Sequence, residues 1–214
     1  MAFTPFDPAA GTRIHHDNLP HWRQWGTTYF VTTRLADSIL PSHIADEWQS
    51  RRAQWLANHG VDSPEDLPEA DRTVFHREYT ARFHALLDAG HGESLLARPQ
   101  CADCLKRRLI AGHSTAYHLD AWCIMPNHLH ALVSPLGKVT LGEIVRHWKG
   151  GSAFEINRLL GRRGSLWMPE FFDHIVRSEA QLEHYRRYIA DNPKKAGLTR
   201  GYVCGVGWQC NPEL

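Results

Sequence analysis

The chain has 214 residues, of which 43% are hydrophobic and 22% are charged, a balance that supports a folded domain with a substantial core and excludes a disordered chain. No apolar run reaches the roughly 20 residues that a transmembrane helix requires, and the N-terminal segment lacks the basic start and apolar stretch of a secretory signal. We therefore expect a cytoplasmic protein with no membrane partner, whose five cysteines are reduced thiols.

The net charge of +1 conceals an uneven distribution along the chain. Residues 1–100 contain 9 Lys+Arg against 13 Asp+Glu, whereas residues 101–214 contain 15 against 10. A basic half of this kind is typical of proteins with a polyanionic partner, although a solvated basic surface produces the same count. Charge alone therefore leaves both interpretations open.

Hydrophobic periodicity and turn residues predict the order of elements along the chain. In chain order, the predicted elements are a strand at 27–35, helices at 42–60, 71–88 and 94–112, strands at 116–126 and 128–134, a helix at 140–160, a strand at 171–177, a helix at 178–192, and one edge strand in the tail. Pro99 is expected to break or restart its helix, and Gly150-Gly151 indicates a kink or a close backbone contact. Pro193 is expected to end the last helix at Asn192.

This order is not the strict alternation of strand and helix that produces a parallel sheet. It predicts an α+β fold in which helices pack on an antiparallel sheet. We expect a single domain over residues 1–214, with a helical insertion at 61–112 after the first helix.

Two histidines in the second half have a spacing that suits a metal pair. His128 and His130 are two residues apart in a predicted strand, so both side chains leave the same face of the sheet. Two imidazoles on one rigid face are able to bind a metal ion. With 15 histidines in the chain, however, about one His-x-His pair is expected by chance, so the spacing alone does not identify a site.

The last predicted helix carries a candidate nucleophile. Tyr188 and Asn192 are four residues apart and therefore lie on one face of that helix. A tyrosine becomes a covalent nucleophile when a metal or a base activates it, and an amide oxygen four residues away can complete the coordination of that metal. Tyr185 is a rival nucleophile, and the structural alternative is that Tyr188 packs in the core while Asn192 caps the helix before Pro193.

Several common chemistries leave no motif in the sequence. It contains no P-loop, no dinucleotide-binding glycine motif, no Gly-x-Ser-x-Gly and no His-Glu-x-x-His. Cys101 and Cys104 form a Cys-x-x-Cys pair, but no second pair follows at zinc-finger spacing. A structural zinc site is therefore not expected.

Three segments together resemble the REP-associated tyrosine transposases, which belong to the HUH superfamily of single-strand DNA endonucleases with one catalytic tyrosine. The segments are MPNHLH at 125–130, FFDHIVR at 171–177 with Trp167 before it, and YIADNPKKAGL at 188–198, and the strand RQWGTTYFVTTRL at 23–35 matches more loosely. The resemblance implies a ferredoxin-like fold, with a central antiparallel sheet and two helices on one of its faces.

The resemblance also implies the roles of four residues. His128 and His130 match the HUH pair, Tyr188 matches the nucleophile, and Asn192 matches the polar residue that helps to hold a divalent metal ion. The ion would be Mg²⁺ or Mn²⁺, of which Mn²⁺ suits two imidazole ligands better. The implied enzyme is a transposase that cuts and joins single-stranded DNA at hairpin-forming palindromes through a 5′-phosphotyrosine, without ATP. It would act as a monomer or homodimer in the cytoplasm, in association with the nucleoid.

Basic residues of the 140–163 segment and of the segment around Tyr188 are predicted to contact DNA phosphates. They are Arg146, Lys149, Arg158, Arg162, Arg163, Arg187, Lys194 and Lys195. Trp148 and Trp167 could stack on bases, but core packing is the favoured interpretation for both.

Two other functions are compatible with the same sequence. A nucleic-acid-binding regulator on the same fold would bind the DNA without cutting it and would form no covalent adduct. A metal-binding protein unrelated to DNA would require the basic second half to be incidental, and its affinity for single-stranded DNA would not fall with salt.

Overall fold

The computed structural model describes residues 6, 13–16, 20–24, 26–38, 42–62, 66–75, 78–79, 92–207 and 209–211. The chain divides into two compact units, one formed by Met1–Asp37 with Glu93–Leu214 and the other by Ser38–Gly92.

The second unit contains two helices, α1 (Ser42–Asn58) and α2 (Glu69–Phe75), in the part described. Leu56, Leu67 and Phe75 form its buried apolar cluster. The predicted insertion at 61–112 therefore has different boundaries in the structure, because residues 93–112 belong to the first unit and pack in its core. The predicted helix at 71–88 begins in α2, and most of its remainder lies outside the described residues.

The elements of the first unit have the following bounds. The strands are β1 (Arg13–His16), β2 (Pro20–Arg23), β3 (Tyr29–Arg34), β4 (Tyr117–Ile124), β5 (His128–Pro135), β6 (Phe172–Ile175), β7 (Val203–Val206) and β8 (Gln209–Asn211). The helices are α3 (Pro99–Ala111), α4 (Leu141–Leu160) and α5 (Glu179–Lys195), with a short 3₁₀ turn at Leu95–Ala97. As predicted, Pro99 restarts a helix, since it occupies the first turn of α3.

The central sheet has six strands in the order β6-β3-β5-β4-β7-β8, and every neighbouring pair is antiparallel. Strands β1 and β2 form a separate hairpin. The order β6-β3-β5-β4 is that of a ferredoxin-like sheet. Of these four strands, β3 and β5 come first and third in the chain, and they occupy the two central positions. The predicted α+β, ferredoxin-like architecture is confirmed.

The alternation of side chains along the strands gives the sheet two different faces. On one face, Val31 of β3 packs with Leu105 of α3 and Trp148 of α4. On the other face, Phe30 packs with Leu182 and other residues of α5. The structure thus confirms two helices on one face, and it places the helix that carries Tyr188 on the opposite face.

Trp148 and Trp167 are core residues, as the sequence favoured. Their side chains are buried, and the indole N–H of Trp148 donates to the hydroxyl of Tyr117 at 2.8 Å. The indole N–H of Trp167 donates to Ser152 Oγ at 3.0 Å, and the Ser152 hydroxyl in turn donates to the carbonyl of Trp148 at 2.6 Å. Neither ring is therefore available to stack on a base.

The glycine pair in α4 marks a close contact and does not interrupt the helix. A Cβ at Gly151 would lie 2.6 Å from Nε of Arg108, whose guanidinium is held by Glu155, whereas a Cβ at Gly150 would meet nothing within 4 Å. The contact between α3 and α4 therefore requires a glycine at only one of the two positions.

We expect Gly150→Ala to stabilise the protein by about 0.5–1 kcal/mol, because alanine favours an exposed helix interior by that amount. Gly151→Ala is expected to gain nothing, because the new methyl group must displace Arg108 from Glu155. Urea unfolding of the two variants measures the difference. Equal stabilisation by both substitutions would show that the contact between Gly151 and Arg108 is not tight.

Helix α5 continues through Pro193 to Lys195, so the prediction that it ends at Asn192 is wrong. Proline lacks the N–H that would bond to the carbonyl four residues earlier, but here that loss falls in the last turn. The turn is closed by the N–H of Ala196 on the carbonyl of Asn192 at 3.0 Å and by the N–H of Leu198 on the carbonyl of Pro193 at 2.9 Å.

The C-terminal segment also differs from the prediction of one edge strand. It forms two strands, and β7 lies inside the sheet beside β4. Their register sets Cys123 opposite Cys204, with 4.1 Å between the Cα atoms, and the two sulfurs form a disulfide. The expectation of five reduced thiols is therefore wrong for this pair, because the sequence did not reveal that β7 pairs with β4. Cys101 and Cys104 are buried free thiols of α3.

Within the part of the chain that the structure describes, no helix has both the length and the apolar character needed to cross a membrane.

Candidate metal and nucleophile site

The two histidines of the His-x-His pair lie at the start of β5, directly after the hairpin turn from β4. The turn is fixed by the N–H of Met125 on the carbonyl of His128 at 2.8 Å, and by the N–H of Leu35 on the carbonyl of Asn127 at 2.9 Å. His128 and His130 are 1% and 0% exposed. As the spacing predicted, both side chains leave the same face of the sheet. The structure shows that this is the face covered by α5.

The two imidazoles converge on one point. Their Nε2 atoms are 3.0 Å apart, and the ring centroids are separated by 4.6 Å. The other ring nitrogen of each histidine is already engaged, Nδ1 of His128 with Asn127 Oδ1 at 2.7 Å and Nδ1 of His130 with Thr32 Oγ1 at 2.8 Å. Nε2 is therefore the nitrogen that each ring offers to a ligand.

Asn192 brings a third polar group to the same point from α5. Its side-chain amide lies 3.5 Å from Nε2 of His130, measured from Nδ2, and the residue is 1% exposed. A rotation of the amide exchanges Nδ2 with Oδ1, and Oδ1 is the end that binds a metal ion. The structure thus brings together His128, His130 and Asn192, the three ligands that the resemblance implies.

This set of donors fits a divalent ion. Two nitrogen ligands about 2.1 Å from an octahedral ion, at right angles to each other, are about 3.0 Å apart, and the two Nε2 atoms have a separation of 3.0 Å. Across the described residues, no group of three His, Cys, Asp or Glu side chains forms a metal cluster. The third ligand at this site would be an amide, which such a cluster does not include.

Among the residues that the structure describes, Tyr188 is in ring contact with His130 of this pair. Its ring meets that of His130 nearly perpendicularly at 5.2 Å between centroids, and it meets the edge of Phe30 at 5.7 Å. Tyr185 instead stacks flat on Phe30 at 4.3 Å, and burial raises its pKa well above the usual range. The ring contact with His130 therefore favours Tyr188 over Tyr185 as the nucleophile.

One basic side chain lies next to Tyr188, and another stands opposite His128 in the sheet. The ammonium group of Lys195 lies 5.5 Å from the ring centroid of Tyr188. Arg34 is 7% exposed and stands opposite His128 in the register of β3 and β5, so its side chain leaves the same face of the sheet. A positive environment of this kind suits a phosphate group next to the tyrosine.

The eight predicted DNA contacts do not form a single patch. Five precede β6 in the chain: Arg146, Lys149 and Arg158 lie on α4, and Arg162 and Arg163 follow it. Arg187, Lys194 and Lys195 belong to α5. Helices α4 and α5 pack on opposite faces of the sheet, so their basic residues are separated. The sequence does not show which face of the sheet each helix covers, and it therefore could not reveal this separation. Lys149 donates to the carbonyl of Pro169 at 2.6 Å, and burial lowers its pKa.

Sequence reasoning missed the residues that support the two histidines. Phe30, Thr32 and Arg34 occupy alternate positions of β3 and therefore face the site, and Asn127 lies in the turn before His128. The alternation within the first predicted strand contained part of this signal. It could not be used without the register that sets Thr32 opposite His130.

Comparison with known proteins gives a consistent result for the segment that carries the site. A family model described as "Transposase IS200 like" matches residues 107–192, which include all four candidate site residues. A REP-associated tyrosine transposase of Escherichia coli K12 is 26% identical over 85 residues, which cover 39% of this chain and 48% of that protein. An uncharacterized protein of Haemophilus influenzae is 27% identical over 97 residues, which cover 35% of this chain and 53% of that protein. The chain thus spans about half the length of these relatives.

A solved structure described as a REP-associated tyrosine transposase bound to a REP hairpin is similar over 84% of this chain and 75% of its own. The two are 20% identical, and the TM-score is 0.41.

Proposed function

We propose that the protein is a metal-dependent endonuclease and strand transferase for single-stranded DNA, and the match of residues 107–192 to the family model described as "Transposase IS200 like" supports this proposal. Its substrate would be DNA that folds into a palindromic hairpin. The observation that carries the proposal is the contact of Tyr188 with His130, whose Nε2 converges with that of His128 at 3.0 Å. A nucleophile next to a pair of metal-ligating nitrogens is the arrangement that such a reaction requires.

In the proposed reaction, the hydroxyl oxygen of Tyr188 attacks the scissile phosphorus in line. A bond forms between this oxygen and phosphorus, the bond from phosphorus to the 3′ oxygen breaks, and the tyrosine proton is ultimately transferred to the departing 3′ oxygen. The products are a 5′-phosphotyrosine and a free 3′-hydroxyl. Reversal of the step by the same or another 3′-hydroxyl rejoins DNA, and no ATP is needed because the phosphotyrosine conserves the energy of the broken bond.

The residues of the chain divide this work between them. His128, His130 and Asn192 would hold Mg²⁺ or Mn²⁺, which when bound polarises the phosphate and offsets the charge of the transition state. Lys195, beside the Tyr188 ring, would offset charge on the same phosphate. Phe30 is in ring contact with both His130 and Tyr188, so it would keep the nucleophile in place beside the metal ligands.

A hairpin substrate is proposed from the E. coli relative, whose name associates it with REP sequences. The basic second half of the chain, with 15 Lys+Arg against 10 Asp+Glu in residues 101–214, supports a polyanionic partner. Arg187, Lys194 and Lys195 share α5 with Tyr188 and are the predicted contacts best placed to follow the strand into the site.

A labelled hairpin oligonucleotide with a single-stranded flank tests the proposal. With Mn²⁺ present, we expect a covalent complex on a denaturing gel that retains a label at the 3′ end of the DNA. A label at the 5′ end should instead appear on a shorter, protein-free fragment with a free 3′-hydroxyl. EDTA should abolish both products.

The result separates the proposed enzyme from the regulator that only binds DNA. Salt-sensitive hairpin binding without any covalent complex, over a panel of palindromes taken from the genome that encodes the protein, would support the regulator and contradict the proposal. A complex that retains the 5′ label would contradict the direction of the proposed cleavage.

A further inference from the structure

Each histidine of the candidate metal site is held in its orientation by a hydrogen bond at Nδ1, the ring nitrogen that points away from the site. Nδ1 of His128 lies 2.7 Å from Asn127 Oδ1, and Nδ1 of His130 lies 2.8 Å from Thr32 Oγ1. All four residues are at most 2% exposed. Buried hydrogen bonds of this kind decide which ring nitrogen carries the proton.

The partner of His128 fixes its tautomer. In the amide orientation of the structure, Asn127 presents Oδ1, which accepts hydrogen bonds and cannot donate one, so Nδ1 of His128 carries the hydrogen. In the neutral ring, Nε2 of His128 then has a lone pair. This lone pair faces Nε2 of His130 at 3.0 Å.

The partner of His130 does not fix the tautomer, because a hydroxyl can both donate and accept. When Thr32 donates to Nδ1, Nε2 of His130 carries the hydrogen and donates it to Nε2 of His128 across 3.0 Å. When Thr32 accepts from Nδ1, both Nε2 lone pairs point at the same position. Two lone pairs 3.0 Å apart in a buried site repel each other unless a cation lies between them, because the Asn192 amide nitrogen, 3.5 Å from Nε2 of His130, is too distant to form a strong hydrogen bond that would offset the repulsion.

We propose that Thr32 is a positioning residue whose hydroxyl reverses its hydrogen bond to His130 when a divalent cation binds. When Thr32 donates to His130, the two imidazoles can hydrogen-bond to each other without a metal ion. When Thr32 accepts from His130, both Nε2 lone pairs are available to chelate the cation. This inference rests on the proposed function, because it requires that the site bind a metal ion. It adds a residue of β3, outside the HUH motif, to the machinery that controls metal affinity.

The strand supplies a matched control for Thr32. Thr33 is the next residue, is equally buried at 1% against 2%, and leaves the opposite face of the sheet. In the part of the chain described, the hydroxyl of Thr33 has no hydrogen-bond partner. Threonine-to-valine replacement changes shape very little, so the two variants differ mainly in whether the lost hydroxyl contacts a histidine.

The first measurement is the affinity of the full chain for Mn²⁺ in the absence of DNA. It is determined by electron paramagnetic resonance and by calorimetry. We expect Thr32→Val to weaken Mn²⁺ binding by about 10- to 100-fold, the usual effect of losing an outer hydrogen bond to a metal-ligating histidine. Thr32→Ser keeps the hydroxyl and should bind within a few-fold of the unmodified protein, as should Thr33→Val. At saturating Mn²⁺, the Thr32→Val protein should recover its rate of covalent complex formation.

The second measurement follows the tautomer directly and needs no variant. Nitrogen chemical shifts of ¹⁵N-histidine protein should show the hydrogen of His130 on Nε2 in the metal-free state and on Nδ1 after addition of diamagnetic Zn²⁺ or Mg²⁺. A hydrogen that stays on the same nitrogen overturns the proposal, whether or not Thr32→Val folds. Equal Mn²⁺ affinity of Thr32→Val and the unmodified protein overturns it as well.

Failure of this inference can be distinguished from failure of the proposed function. If the unmodified protein binds Mn²⁺ and forms the covalent complex while Thr32→Val does both equally well, only the role of Thr32 is wrong. If the unmodified protein neither binds Mn²⁺ nor forms the complex, the proposed function itself fails.

Discussion

Tyr188→Phe is expected to abolish the covalent protein–DNA complex while leaving hairpin binding unchanged. The substitution removes one hydroxyl and keeps the ring that contacts His130 and Phe30, so the packing of α5 on the sheet should be preserved. Loss of a covalent nucleophile typically lowers the rate by at least about 10³-fold, which places the variant below detection on a denaturing gel. A gel shift under native conditions measures the binding that should remain.

Tyr185→Phe is the control for this result, since it makes the same chemical change one helical turn away. Its ring should keep the flat stack on Phe30, and the hydroxyl it loses belongs to a group whose pKa burial has raised. We expect the covalent complex to form at a rate within a few-fold of the unmodified protein. If the complex instead disappears in Tyr185→Phe and persists in Tyr188→Phe, the nucleophile has been assigned to the wrong tyrosine.

The parts of the fold that depend on local pattern were predictable from the sequence. Alternation of side chains put His128 and His130 on one face of a strand, and the four-residue spacing put Tyr188 and Asn192 on one face of a helix. The structure shows both arrangements. Pro193 was misjudged, because a proline in the last turn of a helix costs one hydrogen bond that the following residues partly replace.

The parts that depend on strand register and on the choice of face could not be predicted in this way. Thr32 supports His130 only because β3 and β5 pair in a register that sets the two residues opposite each other. The pairing of β7 with β4, which brings Cys204 to Cys123, is equally non-local. The same limit explains why the basic residues of α4 and α5 could not be assigned to separate surfaces. The periodicity of each helix shows which of its sides is apolar, but not which face of the sheet that side covers.

The double replacement His128→Ala with His130→Ala is expected to eliminate cleavage and Mn²⁺ binding together, with hairpin binding retained. The two rings supply both nitrogens that converge at 3.0 Å, and Asn192 alone offers one neutral amide. A divalent ion contributes several kcal/mol to the stabilisation of a phosphoryl-transfer transition state, so cleavage should fall by at least about 100-fold. Cleavage is measured with the labelled hairpin, and Mn²⁺ binding is measured in the absence of DNA.

The matched control is His118→Ala, because His118 lies in the same sheet but pairs with Ser134, near the other end of β5. Burial lowers the pKa of His118 below its ordinary value, so its removal changes no charge at neutral pH. Cleavage and Mn²⁺ binding should both survive in this control.

Since loss of the buried, stacked ring of His130 also leaves a cavity, His130→Gln tests the same ligand with less loss of volume. Mn²⁺-dependent cleavage that persists in the double variant would place the metal ion elsewhere and remove the basis for assigning these histidines as its ligands.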